Sequence, residues 1–209
     1  MFSGKYLSIE VIKRRILSLF ICIVFLFSTA SPVFAYDQDF INAYHWPTYT
    51  TSYYYTGGLP SAYAIAVKSG ANSWNAALSA SSGPYSFRFI NTTGSSSSTG
   101  YAGVLCFYGN YGNSSWVGQF ALKDFTVSNN AFTAGHCTLS FNSYYESSEM
   151  STQTRKESVA CHELGHMFRL DDWNYANDRL MGYYRNRNSI YVPQTKDIRA
   201  LGTRYKKMP

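Results

Sequence analysis

The sequence predicts a mixed α/β domain, and three observations lead there. Short runs rich in tyrosine, phenylalanine and β-branched residues alternate in polarity, as strands half-buried in a sheet do. Between and after them lie segments whose apolar residues recur every three or four positions, the mark of a helix with one buried stripe. The order is strand, helix, several strands, helix, irregular loop, helix, without an internal repeat.

Residues 1–35 are different in kind. Lys13, Arg14 and Arg15 precede the apolar run ILSLFICIVFLF (16–27), and STASPVFA follows with small residues near its end. That is the pattern of a secretory signal peptide cut after Ala35. The alternative, an uncleaved membrane anchor, is disfavoured because the apolar run is shorter than the ~20 residues a spanning helix needs. Residues 36–209 read as a single domain, since a chain with 45% hydrophobic, 18% aromatic and 14% charged residues can bury one core and is too weakly charged to stay disordered.

The first element is the aromatic run YHWPTYTTSYYY (44–55), a strand ended by Gly57 and Gly58. In LPSAYAIAVKSGANSWNAAL (59–78), Ala62, Ile65, Ala66, Trp74, Ala77 and Leu78 fall at helical spacing, with Gly70 as a weak point. YSFRFIN (85–91) alternates as a strand, and NTTGSSSSTG (91–100) has the composition of a flexible loop. Extended runs follow at 101–109, 117–127 and 131–142. Between 151 and 168 the pattern turns helical, with Cys161, Leu164 and Phe168 as a core-facing stripe. A last helix is expected in VPQTKDIRALGTRYK, where Ile198, Leu201 and Tyr205 share a face and Asp197 occupies the favourable first turn.

Charge and cysteine usage narrow the partners. Four of the 18 Lys+Arg and one of the 12 Asp+Glu precede Tyr36, which leaves 14 against 11 in the remainder. A balance that slight, without a basic run, argues against nucleic acid and leaves only a weak attraction to anionic surfaces such as a cell wall. Beyond Cys22 in the leader, Cys106, Cys137 and Cys161 allow at most one bridge. Export permits a Cys106 to Cys137 disulfide, which geometry must decide, and the absence of a CxxC element argues against a thiolate zinc site.

The helical segment carries HELGH. His162 and His166 are four apart, on one helix face with Cβ atoms ~5 to 6 Å apart, so both imidazoles can reach one Zn²⁺. Glu163 sits one step round, placed to take a proton from the attacking water and pass it to a leaving amine. A chain with 4 histidines rarely produces this spacing by accident, and Leu164 and Phe168 already commit the opposite face to the core. A catalytic zinc needs a third ligand and an open position. No Glu follows Glu163, so the candidates are Asp171, Asp172, Asp178, Asp197 and His136.

HELGHMFRLDD resembles the metzincin motif HExxHxxGxxH in the form that ends in Asp, as in the snapalysins. DRLMGYY offers Met181 as the methionine of a metzincin Met-turn, and the SWNAAL and PQTKDIRAL segments are similar to those of matrixin-like catalytic domains. The resemblance spans nearly all of residues 36–209. It implies a mostly parallel five-stranded twisted sheet with one antiparallel edge strand, an active-site helix, a Met-turn and a C-terminal helix. It also implies one catalytic zinc on His162, His166 and Asp172, with Glu163 as base. The departure is Arg169, where the family has glycine. Either the turn there is strained by ~1 to 2 kcal/mol, or it is shaped differently and Asp171 replaces Asp172.

Tyr183, two residues after Met181, stands where astacin-like and serralysin-like metzincins place a tyrosine that can bind zinc or a developing oxyanion. Met181 is expected to pack beneath the metal, Cys161 to be a buried structural thiol, and His136 to be structural. An edge strand in GQFALKDFTV would bind an extended peptide, and the arginines of YRNR (184–187) hint at acidic or polar substrates. The short stretch between Tyr36 and the first strand leaves no room for a folded prodomain, so a cysteine-switch zymogen is not expected. These readings make a secreted, monomeric zinc endopeptidase acting on protein or peptide, without nucleic-acid or membrane partners after cleavage. The alternative is a secreted, non-hydrolytic binding or cell-surface protein on the same fold.

Overall fold

The computed structural model describes residues 50–55, 58–80, 88–91, 103–129 and 131–204. The expected signal segment, the start of the 44–55 and 85–91 runs, the serine-rich loop and Tyr205 lie outside the described residues. The fold is mixed α/β. In chain order the elements are β1 (Thr50–Tyr55), α1 (Ser61–Ala80), β2 (Arg88–Asn91), β3 (Gly103–Gly109), β4 (Gly118–Ser128), β5 (Ala131–Asn142), α2 (Gln153–Gly165) and α3 (Thr195–Arg204). The strands form one sheet in the order β2-β1-β3-β5-β4. All neighbours run parallel except β4, which pairs antiparallel with β5 and forms one edge. Among the described residues, no helix is long and apolar enough to cross a membrane.

The core lies between the sheet and the two long helices. From α1 it takes Ala66, Trp74 and Leu78, as the spacing suggests, together with Tyr63, Val67 and Ala71, while Ala62 and Ala77 are half-buried. Ile65 is 57% exposed, because Tyr63 and Val67 take the inward positions. Gly70 is a point of closest approach rather than a weak point. A Cβ there would lie 2.9 Å from the Cα of Cys161, so only glycine lets α1 and α2 cross this tightly. The crossing is fastened where Trp74 Nε1 donates to the Cys161 carbonyl at 2.8 Å. The Trp74 ring also packs on Phe168, with centroids 5.0 Å apart.

The three cysteines of the domain are buried and unbridged. On the adjacent strands β3 and β5, Cys137 is in register with Val104 and Cys106 with Leu139, so the two thiols do not face one another. Cys137 Sγ lies 3.6 Å from Met167 Sδ instead. Burial pushes the Cys106 and Cys161 thiols up, as expected of structural cysteines in a dry core. Cys161 is fully enclosed and faces the Gly70 carbonyl.

Candidate metal centre

Helix α2 delivers the HELGH residues. Its N-terminus is capped by Thr152, whose side chain accepts from the Arg155 N–H. It ends at Gly165 and passes into a single 3-10 turn, His166–Phe168. Gly165 leaves room under the helix end, because a Cβ there would run into Met181 Sδ and lie 3.0 Å from Trp74 Cζ2. Met181 thus packs directly under the helix end, 3% exposed, with no ligating role in the geometry.

Arg169 follows the turn at φ 65°, ψ 21°, in the left-handed region, its N–H donating to the His166 carbonyl at 2.9 Å. The chain therefore turns as a glycine would allow, with an arginine bearing the strain. We expect Arg169→Gly to be more stable than Arg169→Ala by about 1 kcal/mol in urea denaturation, since both lose the side chain and only alanine keeps the Cβ. Equal stabilities would contradict the left-handed turn.

This turn brings Asp172 back over the helix. Its Oδ1 lies 2.9 Å from His162 Nε2 and 3.7 Å from His166 Nε2. The imidazole planes stand at 85° with centroids 5.0 Å apart. One ligand atom from each of the three residues lies within 4.8 Å of the others. Asp171 points elsewhere, its Oδ1 accepting the Asp172 N–H at 2.8 Å, which orients Asp172 rather than replacing it. Asp178 is paired with Lys196, and His136 lies on β5 opposite Gly103 and Lys123, outside the cluster.

The tautomers follow from the partners. His162 Nδ1 lies 2.9 Å from the Leu180 carbonyl and His166 Nδ1 2.8 Å from the Leu170 carbonyl. A carbonyl only accepts, so each Nδ1 carries a proton and Nε2 is the nitrogen left to face the cluster. Burial, and then the charge of Arg185, push the His162 pKa below its usual value, outweighing the carboxylates beside it. Asp172 stays ionised, at about 2: burial pushes it up, but the imidazoles and Arg185 more than offset that. Two imidazole nitrogens and an ionised carboxylate therefore converge on one point. Such a set is satisfied by a cation, and two imidazoles with one carboxylate suit zinc with a position left open.

Sequence reasoning placed Asp197 among the ligand candidates, but it supports the site from behind. Its carboxylate, 1% exposed, accepts the N–H groups of Leu180 (2.8 Å), Met181 (3.1 Å) and Gln194 (2.8 Å). It thus caps the start of α3 and fixes the turn whose Leu180 carbonyl orients His162. Asp197→Ala would leave two buried donors, Leu180 and Met181, and the part-buried Gln194 N–H unpaired, at ~1 to 3 kcal/mol for each buried one. A loss of several kcal/mol is expected in chemical denaturation, together with roughly 10- to 100-fold weaker metal binding by titration.

Glu163 is 6% exposed, with Oε2 4.0 Å from His166 Nε2. Gly118, the first residue of β4, lies so close that a Cβ would meet Glu163 Oε1 at 2.9 Å and Val159 Cγ1 at 2.6 Å. The edge strand thereby runs directly past the carboxylate. Tyr183 lines the same cleft, 58% exposed, and packs edge-on against Tyr184. Its loop is held by Trp173, which donates to the Met181 carbonyl at 2.8 Å and accepts from the Tyr183 N–H at 3.0 Å. Sequence reading did not anticipate the carbonyls of Leu170 and Leu180 or the burial of Arg185, because backbone acceptors and loop burial leave no residue-type signal.

No family profile and no curated protein matches the chain. Solved structures do. A structure of myroilysin is similar at TM-score 0.46 and 12% identity, over 81% of this chain and 99% of that one. High choriolytic enzyme 1, a hatching enzyme zinc-protease from the medaka Oryzias latipes, is similar at TM-score 0.41 and 13% identity, over 77% and 94%. A crystal structure of myroilysin gives TM-score 0.40 and 12% identity, over 82% and 87%.

Proposed function

We propose that this chain is a secreted zinc-dependent endopeptidase. The observation that carries the reading is the convergence of His162 Nε2, His166 Nε2 and Asp172 Oδ1 on one point, with both Nδ1 protons already committed to carbonyls. His162, His166 and Asp172 would hold the ion, which when bound supplies Lewis-acid polarisation of a carbonyl and acidifies water. Glu163, beside the cluster and shielded by Gly118, takes the proton of the attacking water and hands it to the departing amine. The tyrosine hydroxyl of Tyr183 is a donor for the developing oxyanion. The free edge of β4 offers backbone groups to an extended peptide, which orients the scissile bond across the site. The methionine of the turn, Met181, is a packing residue that keeps the end of α2 in place. Secretion rests on the leader-like pattern of residues 1–35.

Elemental analysis of residues 36–209 paired with a peptide-cleavage assay tests this. One zinc per chain and chelator-sensitive hydrolysis are expected. Iron instead of zinc would overturn the assignment, because the same two-imidazole, one-carboxylate set also holds iron in oxygenases. Zinc without cleavage of any peptide would favour a binding protein.

A further inference from the structure

We propose that the cleft beside the three-ligand cluster selects peptides with an aspartate or glutamate immediately after the scissile bond, and that Arg185 is the residue that reads it. This rests on the peptidase reading above. Arg185 is 8% exposed and lines a cleft of about 170 Å³ together with His162, Glu163 and Asp172. Its hydrogen bonds go to neutral groups: Nε donates to Ser158 Oγ at 3.2 Å and Nη1 to the Gly182 carbonyl at 3.0 Å. Ser158 Oγ is itself tied to the Ile190 carbonyl at 2.7 Å, which fixes the guanidinium in place.

Among the described residues, no carboxylate lies within 4.0 Å of Arg185. Burying a charge is costly, and burial followed by the charge of Arg187 lowers the Arg185 pKa to about 10 against the opposing pull of Glu163 and Asp172, which leaves it a cation at neutral pH. Two hydrogen bonds leave donors of its five-N–H fork for a ligand, and a carboxylate is the group that matches that fork. Arg187 adds a second positive charge to the same wall. Its Nη1 pairs with Glu149, while its Nε is buried without a partner. The carboxylates of the cleft, Glu163 and Asp172, are committed to the reaction and to the ion.

The side of the scissile bond follows from the proton path. Glu163 delivers its proton to the leaving amine, so the residue that becomes the new N-terminus lies on the Glu163 side. Val159, one turn earlier on α2, and Arg185 line the same cleft as Glu163. The side chain of that residue enters there.

The test uses peptides identical except for Asp, Asn or Leu at this position, cleaved by the zinc-loaded protein. A kcat/KM at least tenfold higher for Asp than for either neutral peptide is expected. The Asp-to-Leu ratio should collapse in Arg185→Gln, recover in part in Arg185→Lys, and fall severalfold in Arg187→Gln, which is nearer the rim should the buried variants fail to fold. The same peptides are titrated into zinc-loaded Glu163→Gln, where binding is read without hydrolysis. Cleavage with no acidic preference would overturn the inference and leave the peptidase standing. Tenfold tighter binding of the Asp peptide without cleavage by the wild type would do the reverse, and neither preference nor cleavage would overturn both.

Discussion

Glu163→Gln is expected to retain one zinc per chain and to lose peptide hydrolysis by about 10²- to 10⁴-fold in kcat, the range that positioned proton transfer supplies. Glutamine keeps the shape of the side chain against Val159 and Gly118 but cannot take a proton. The glutamate contributes none of the converging ligand atoms, so the cluster should be undisturbed. Elemental analysis and single-turnover cleavage on the same preparation check both halves. Full activity in the variant would remove Glu163 from the mechanism, whereas loss of zinc would show that its carboxylate belongs to the ligand set.

The second large effect concerns the ion. The three ligand groups come from the end of α2 and from the turn after it, so metal removal should be felt by the whole fold rather than only by activity. Free zinc a thousandfold above its dissociation constant stabilises by ~4 kcal/mol, or roughly 8 to 16 °C in Tm for a domain of this size. We expect a chelator to lower Tm by that order, zinc to restore it, and His166→Ala to abolish the response. Asp172→Ala should do the same. Asp171→Ala should cost much less, since its carboxylate only accepts the Asp172 N–H. The opposite ranking of the two aspartates would mean that the turn after α2 is occupied differently in solution.

The parts of the site legible in the sequence are those set by local spacing. Two histidines four apart on a helix must share a face, and a glutamate between them must sit beside it, whatever surrounds the helix. The mixed α/β class was legible for the same reason, because periods of 2 and 3.6 are written locally. The buried face of α1 was legible at Ala66, Trp74 and Leu78 but not at Tyr63, Val67 and Ala71. Ala62, Ile65 and Ala77 fit a helical stripe as well as Tyr63 and Val67 do, and only the sheet opposite decides which set turns inward. Gly70 looked like a defect until the second helix lay against it.

What the sequence determined by itself was therefore the chemistry available: two imidazoles, a carboxylate beside them, several aspartates downstream and an apolar run at 16–27. Tertiary structure decided which of these groups meet. The left-handed turn at Arg169 brings the Asp172 carboxylate against the imidazoles while that of Asp171 accepts the Asp172 N–H, and Asp197 is drawn into the core to hold the Leu180 turn. Both outcomes depend on long-range closure, in which a carboxylate goes wherever buried N–H groups or lone pairs must be satisfied. The partners that create that demand lie across the fold and leave no trace in local spacing.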